Sequence, residues 1–212
     1  MVTTPSKYIT LEEFLALPET KPAREYIDGQ IIQKPMPQGE HSTIQAELII
    51  ALNGSLKPQK IARASCSIAL CEAVSFRATR GTRATASRAF PELRCTFGGR
   101  STVPDISVFT WDRIPRDENG AIVDSFQAAP DWTIEILSPE QNHTRITKNI
   151  LHCLDNGTQL GWLIDPSEQS IFAYYPQQQF AFLEDASDVL PVPDFAKSFQ
   201  LTLGELFGWL LE

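Results

Sequence analysis

Asp131-Trp132-Thr133-Ile134-Glu135-Ile136-Leu137-Ser138-Pro139 is the stretch whose reading decides the fold. Aromatic and β-branched residues fill it and a proline closes it, the composition of a short strand. Glu135 is the only charge between Trp132 and Ser138. A strand that apolar is covered on both faces. A carboxylate ionised inside it costs several kcal/mol unless something cationic meets it. Upstream, Thr102-Val103-Pro104-Asp105-Ile106-Ser107-Val108-Phe109 repeats the pattern: a second apolar strand that opens on proline and an acid.

Two acids on neighbouring apolar strands suit a hard divalent cation, which takes a few carboxylate oxygens and keeps several waters. Alternate strand residues share a face, so Thr133, Glu135 and Leu137 point one way. The main-chain carbonyl of Ile136 would bring a third oxygen to an ion held by Asp105 and Glu135. A lysine or arginine nearby would stabilise the charge that develops when a phosphodiester is cut. Lys148, on the helix after Glu135, is the best-placed lysine, with Arg145 as its competitor.

Further out, Thr10 and Glu13 form a capping box for a short helix ending at Pro18. Glu25 to Ile32 reads as a hairpin around Asp28-Gly29. A helix is predicted from about His41 to Leu56, with Ile44, Leu48, Ala51 and Leu52 as its apolar stripe. Strands are predicted at about 93–97, 105–109, 131–138, 159–165 and 170–175. A helix at 142–155 carries Ile146, Ile150, Cys153 and Leu154 on one face, and a last helix runs from Leu203 to Leu211. Strand–helix–strand after a meander implies an α/β domain: one mixed sheet flanked by helices, with an N-terminal helix and β-hairpin.

Residues 64–89 interrupt this order. Eighteen of the 26 are Ala, Ser, Thr or Arg, without apolar periodicity. They read as a flexible, dispensable insertion in a single domain of 212 residues. Ser67 to Cys71 is a candidate short strand within it.

The net charge of −8 argues against strong nonspecific nucleic-acid binding by the whole surface. Its distribution is uneven. Residues 60–100 hold eight Lys/Arg and two acids, and the remainder holds ten and 24. The basic stretch is either a solvated loop or a phosphate-contacting surface. No run of 18 apolar residues exists, so no membrane partner is expected, and the first residues lack the order of a signal peptide. Four cysteines without a CxxC pair fit free thiols in a reducing, cytoplasmic setting.

Pro104-Asp105, Glu135-Ile136-Leu137-Ser138-Pro139, Lys148, Asn156-Gly157 and Gly161-Trp162-Leu163-Ile164-Asp165-Pro166 resemble the Uma-two family of the PD-(D/E)XK, restriction-endonuclease-like superfamily. Leu11-Glu12-Glu13-Phe14, Glu25-Tyr26-Ile27-Asp28-Gly29 and Gly39-Glu40-His41 agree with it. The resemblance implies a metal-dependent endonuclease acting on nucleic acid, DNA first, with Mg²⁺ or Mn²⁺, and it allows a homodimer. It implies Asp105, Glu135 and Ile136 as metal ligands and Lys148 as the catalytic cation. His41, Glu25 and Ser138 would support the site. The superfamily's E-x-K lysine would fall at Leu137, which is why the role passes to Lys148. The competing expectation is a binding or regulatory module that kept the fold and lost turnover. Each residue also has a plain structural reading. Asp105 could serve as a turn residue, Glu135 as half of an ion pair, Lys148 as a solvated lysine, His41 as a cap and Glu25 as a surface acid.

Overall fold

The computed structural model describes residues 8–56, 62–66, 93–139 and 141–211. The chain adopts the mixed α/β architecture that the sequence implies, with its strands divided between two mixed sheets. The first sheet contains β1 (Arg24–Ile27), β2 (Gln30–Gln33), β4 (Arg94–Phe97), β5 (Arg100–Thr102) and β7 (Ser125–Phe126), in the order β2-β1-β5-β4-β7. The second contains β3 (Ala62–Cys66), β6 (Ile106–Thr110), β8 (Trp132–Ile136), β9 (Leu160–Asp165), β10 (Ser170–Tyr175) and β11 (Gln179–Leu183), in the order β11-β10-β9-β8-β6-β3. Each sheet has one parallel pair: β4 with β7, and β8 with β9.

Local chemistry explains the turns. Asp28 and Gly29 both take positive φ, 51° and 84°, which closes the β1–β2 hairpin with the twist its strands need. Gly98 and Gly99 do the same between β4 and β5, at 54° and 76°. The Arg100 guanidinium donates twice to the Asp28 carboxylate, at 2.9 and 2.8 Å, joining the two turns.

Among the described residues, four helices complete the layers: α1 (Leu11–Leu15), α2 (Gly39–Leu56), α3 (His143–Asp155) and α4 (Leu203–Gly208). The Thr10–Glu13 capping box forms at the start of α1. Trp132, Ile134 and Ile136 of β8 turn one way, into the main core with Ile44, Leu48 and Leu52 of α2 and Leu206 of α4. Trp132 meets Trp162 edge to face, at 4.7 Å between ring centres. The opposite face of β8 and β9 lies under α3, where Ile146, Ile150 and Leu154 pack with Leu163. A Cβ at Gly161 would lie 2.3 Å from Ile150, so α3 approaches the sheet only because that residue is glycine.

One sequence expectation changes. The 64–89 segment begins inside β3, where Ala64, Ser65 and Cys66 pair with Val108, Ser107 and Ile106. Backbone pairing makes that edge strand without help from an apolar pattern. Residues 67–89, with the short strand expected at 67–71, lie outside the described residues. The expected mixed sheet flanked by helices is present in two parts, and Val103-Pro104-Asp105 carries the chain from β5 of the first to β6 of the second. Among the described residues, no helix is long and apolar enough to cross a membrane. Cys95 and Cys153 are free and buried.

Candidate active site

The crossing between the sheets is where the acids meet. β6 and β8 pair antiparallel with Ile106 opposite Ile134. One step further along that register sets Asp105 opposite Glu135. Directly opposed residues project from the same face, so the pairing itself brings the two carboxylates together. Glu25 comes from β1 of the first sheet and accepts a hydrogen bond from the Val103 N–H at 2.9 Å. That bond fixes the start of the crossing. Gln45 of α2 donates to the Asp105 carbonyl at 2.6 Å and fixes its end.

The cation at the acids is Lys34, in the residues just after β2. Its Nζ lies 2.8 Å from Asp105 Oδ1 and 3.5 Å from Glu135 Oε2, and donates to the Val103 carbonyl at 2.8 Å. One ammonium thus touches both carboxylates, and their facing oxygens are no farther apart than those two distances laid end to end. The other Asp105 oxygen is 3.1 Å from His41 Nε2 and accepts the Ile136 N–H at 2.9 Å. Asp105, Glu25 and Glu135 are only 2%, 3% and 3% exposed, so these contacts form in a closed, low-dielectric interior.

Burial and charge push the two acids in opposite directions. Burial alone would raise the Asp105 carboxyl, but Lys34 and His41, with the Ile136 N–H, hold it well below its ordinary range. Glu135 goes the other way. Burial raises it well above the ordinary value, Lys34 offsets this only in part, and the Asp105 and Glu25 charges add to the rise. Burial also opposes the charge on Lys34, yet Asp105, Glu135 and Glu25 outweigh it and keep the ammonium protonated far into the alkaline range. Cys95 is pushed up to about 12 by burial, and Cys153 is also raised by burial, so neither is a ready nucleophile.

Asp105, Glu135, Glu25 and His41 therefore converge, and the Ile136 backbone joins them through its N–H. Ser138 is buried just beyond β8, where its N–H donates to the Gln141 side chain at 3.0 Å. Lys148 and Arg145 are exposed on α3. The sequence reading missed Lys34, although its own hairpin contained the clue. Glu25 pairs with Ile32, and Lys34 lies two residues further on, with its N–H bonded to the Ala23 carbonyl at 2.9 Å. Strand alternation thus puts Lys34 on the Glu25 face.

Among the described residues, no three His, Cys, Asp or Glu side chains gather as a ready-made metal site. A hydrated Mg²⁺ asks for less: one or two carboxylates and room for water. Asp105 and Glu135 meet the first need. Beside them, His41 Nδ1 and Gln45 Oε1 are buried without a hydrogen-bond partner, which marks the surroundings as polar. The donor set fits a hard divalent cation.

A crystal structure described as "a putative nuclease belonging to DUF820", from Anabaena variabilis ATCC 29413, is 55% identical to this chain. It superposes with a TM-score of 0.82, over 95% of this chain and 99% of that one. Among curated proteins nothing matches the chain. The Uma2 family model, described as "Putative restriction endonuclease", matches residues 11–204. A match of that extent covers both sheets, the crossing between them and every residue of the buried charge cluster, and the chain belongs to the Uma2 family.

Proposed function

We propose that the protein hydrolyses phosphodiester bonds in nucleic acid, DNA first, using Mg²⁺ or Mn²⁺ held at Asp105 and Glu135. The observation that carries this reading is the convergence of two carboxylates from different strands on one buried positive charge. Family membership and the nuclease-described relative support it. Restriction-endonuclease-like proteins typically work with divalent metals, and the donor set here suits one.

The carboxylates of Asp105 and Glu135, with the Ile136 carbonyl, would hold the ion. A bound divalent cation supplies charge neutralisation at the phosphate and a water made more acidic. His41 and the Ile136 N–H fix the Asp105 carboxylate, while Glu25 holds the Val103 N–H and so the crossing from which Asp105 projects. Ser138 sits where β8 leaves the site and supports the strand end. Burial raises the Glu135 carboxyl in the metal-free protein, and a bound divalent cation would favour its ionised form.

The reading is tested with plasmid and single-stranded oligonucleotides incubated with Mg²⁺, Mn²⁺ or EDTA, beside a Glu135→Gln control. Metal-dependent cleavage that the substitution abolishes supports it. Cleavage that persists in EDTA or in Glu135→Gln defeats it. A second reading has one observation in its favour: the acids are buried and Lys34 already neutralises them, which suits a binding module that has lost turnover. Nucleic-acid binding without cleavage in any of these conditions would establish that reading instead.

A further inference from the structure

Lys34 is the charged group of the cluster nearest to solvent. Its side chain is 11% exposed, against 7% for His41, 4% for Glu135 and 3% for Asp105. The Lys34 side chain is thus the least covered of these four, with its ammonium set against the Val103 carbonyl and the two carboxylates. Two of the three ammonium hydrogens are engaged, by the Val103 carbonyl and Asp105 Oδ1, both at 2.8 Å. The third faces Glu135 across 3.5 Å, a long contact that a better acceptor would replace. The backbone holds the residue in place, through the Lys34 N–H bonded to Ala23 and the proline that follows.

Resting on the nuclease reading, we propose that Lys34 is the cation of the reaction: it contacts the scissile phosphate, and it bridges Asp105 and Glu135 when no metal is bound. It does from the β-hairpin what a lysine at Leu137 would do from β8. Charge balance makes this workable. Glu25, Asp105 and Glu135 outnumber Lys34 and His41, so a divalent cation placed among them would free the ammonium from its bridging contact. In the hydrolysis a water oxygen bonds to phosphorus, the bond from phosphorus to the leaving oxygen breaks, and that oxygen ends protonated. Lys34 transfers no proton; it offsets the negative charge that develops on the phosphate.

The experiment compares wild type, Lys34→Met, Lys34→Arg and Lys148→Ala in the full chain. Each is measured for Mn²⁺ binding by titration, for thermal midpoint in EDTA, and for cleavage at saturating Mn²⁺. Lys34→Met is expected to bind Mn²⁺ at least as tightly as wild type, because a competing charge has gone. It is expected to cut about 100-fold more slowly or worse, the scale of losing one preorganised donor. Lys34→Arg should recover part of the rate. If Lys34→Met does not fold, Lys34→Gln, which keeps a hydrogen-bond donor, takes its place. Cleavage within about threefold of wild type, or loss of Mn²⁺ binding together with the rate, would overturn the assignment, the second outcome making Lys34 a structural counter-ion. Loss of rate in Lys148→Ala without loss in Lys34→Met would move the role to α3 and also overturn it. A wild type that neither binds Mn²⁺ nor cuts defeats the nuclease reading itself, and this inference with it.

Discussion

The paired strands β6 and β8 carry a buried acid at each end, and the two ends are built differently. At one end stands Asp131, 3% exposed. It accepts from the Thr110 N–H and hydroxyl at 2.8 and 3.0 Å, and its other oxygen lies 2.6 Å from the Arg113 guanidinium. One acid meets one partly exposed arginine, and its lone pairs are satisfied. At the other end Asp105 and Glu135 share a single lysine, with Glu25 beside them. The first arrangement is what a stable fold asks of a buried charge. The second sets three acids against one lysine and His41, and burial with the neighbouring acids raises the Glu135 carboxyl, the kind of perturbed group that marks a functional site.

Substitutions at both ends sharpen or break that contrast. The largest loss of stability is expected for Asp105→Asn, which strands Lys34 and removes the anchor of His41. Breaking a buried pair this way costs about 3 kcal/mol or more, though Glu135 recovers part of it by ionising against Lys34. Urea melts with EDTA measure the loss, and cleavage should vanish as well. Asp131→Asn should cost less, about 1–2 kcal/mol, because Arg113 is 36% exposed and returns to water. This variant should still bind Mn²⁺ and still cut; a dead but folded Asp131→Asn would show that the two ends are not separable. Glu135→Gln should shift the metal-free stability by under about 1 kcal/mol, since burial and the neighbouring acids already disfavour the charge that the substitution removes. Yet Mn²⁺ titration should show a large fall in affinity. A strongly destabilised Glu135→Gln would make Glu135 a structural partner of Lys34.

The smallest effect is on pH dependence in EDTA. The folded state raises the Glu135 carboxyl above its value in the unfolded chain. Its contribution is therefore complete at and below the ordinary glutamate range and declines as pH rises toward neutrality. Asp105 has the opposite sign: its contribution is present above the ordinary aspartate range and is lost as pH falls. Lys34 contributes across neutrality and loses its share only above the ordinary lysine range. Thermal midpoints from pH 5 to 8 should thus fall more steeply in wild type than in Glu135→Gln. Parallel slopes would contradict the raised Glu135 carboxyl.

Much of this was legible in the sequence, for identifiable reasons. Apolar runs bounded by proline marked β6 and β8, and the register between them does the rest for Asp105 and Glu135. Asp28-Gly29 marked its hairpin because both residues accept positive φ. The turn at Gly98-Gly99 carries the same chemistry, but Arg100-Ser101-Thr102 is too short and too polar to read as a strand. The division into two sheets was hidden because nothing in Val103-Pro104-Asp105 says that the strands on either side pair with different neighbours. Lys34 carries no mark in the sequence, because it follows a short hairpin far from either acid strand. Its partner Asp105 lies 71 residues after it, a separation that only the docking of the two sheets closes.

That crossing also sets a schedule. A chain leaving the ribosome delivers Glu25 and Lys34 first, then Asp105, then Glu135, and β8 gains its parallel neighbour only when Leu160–Asp165 arrive. Until then β8 is paired on one side only, with β6, and Glu135 faces Asp105 with no Leu163 to close its other side. The acids and their lysine are all present once β8 has been made, but the sheet that encloses Glu135 is completed only when β9 joins it, after most of the protein has been made.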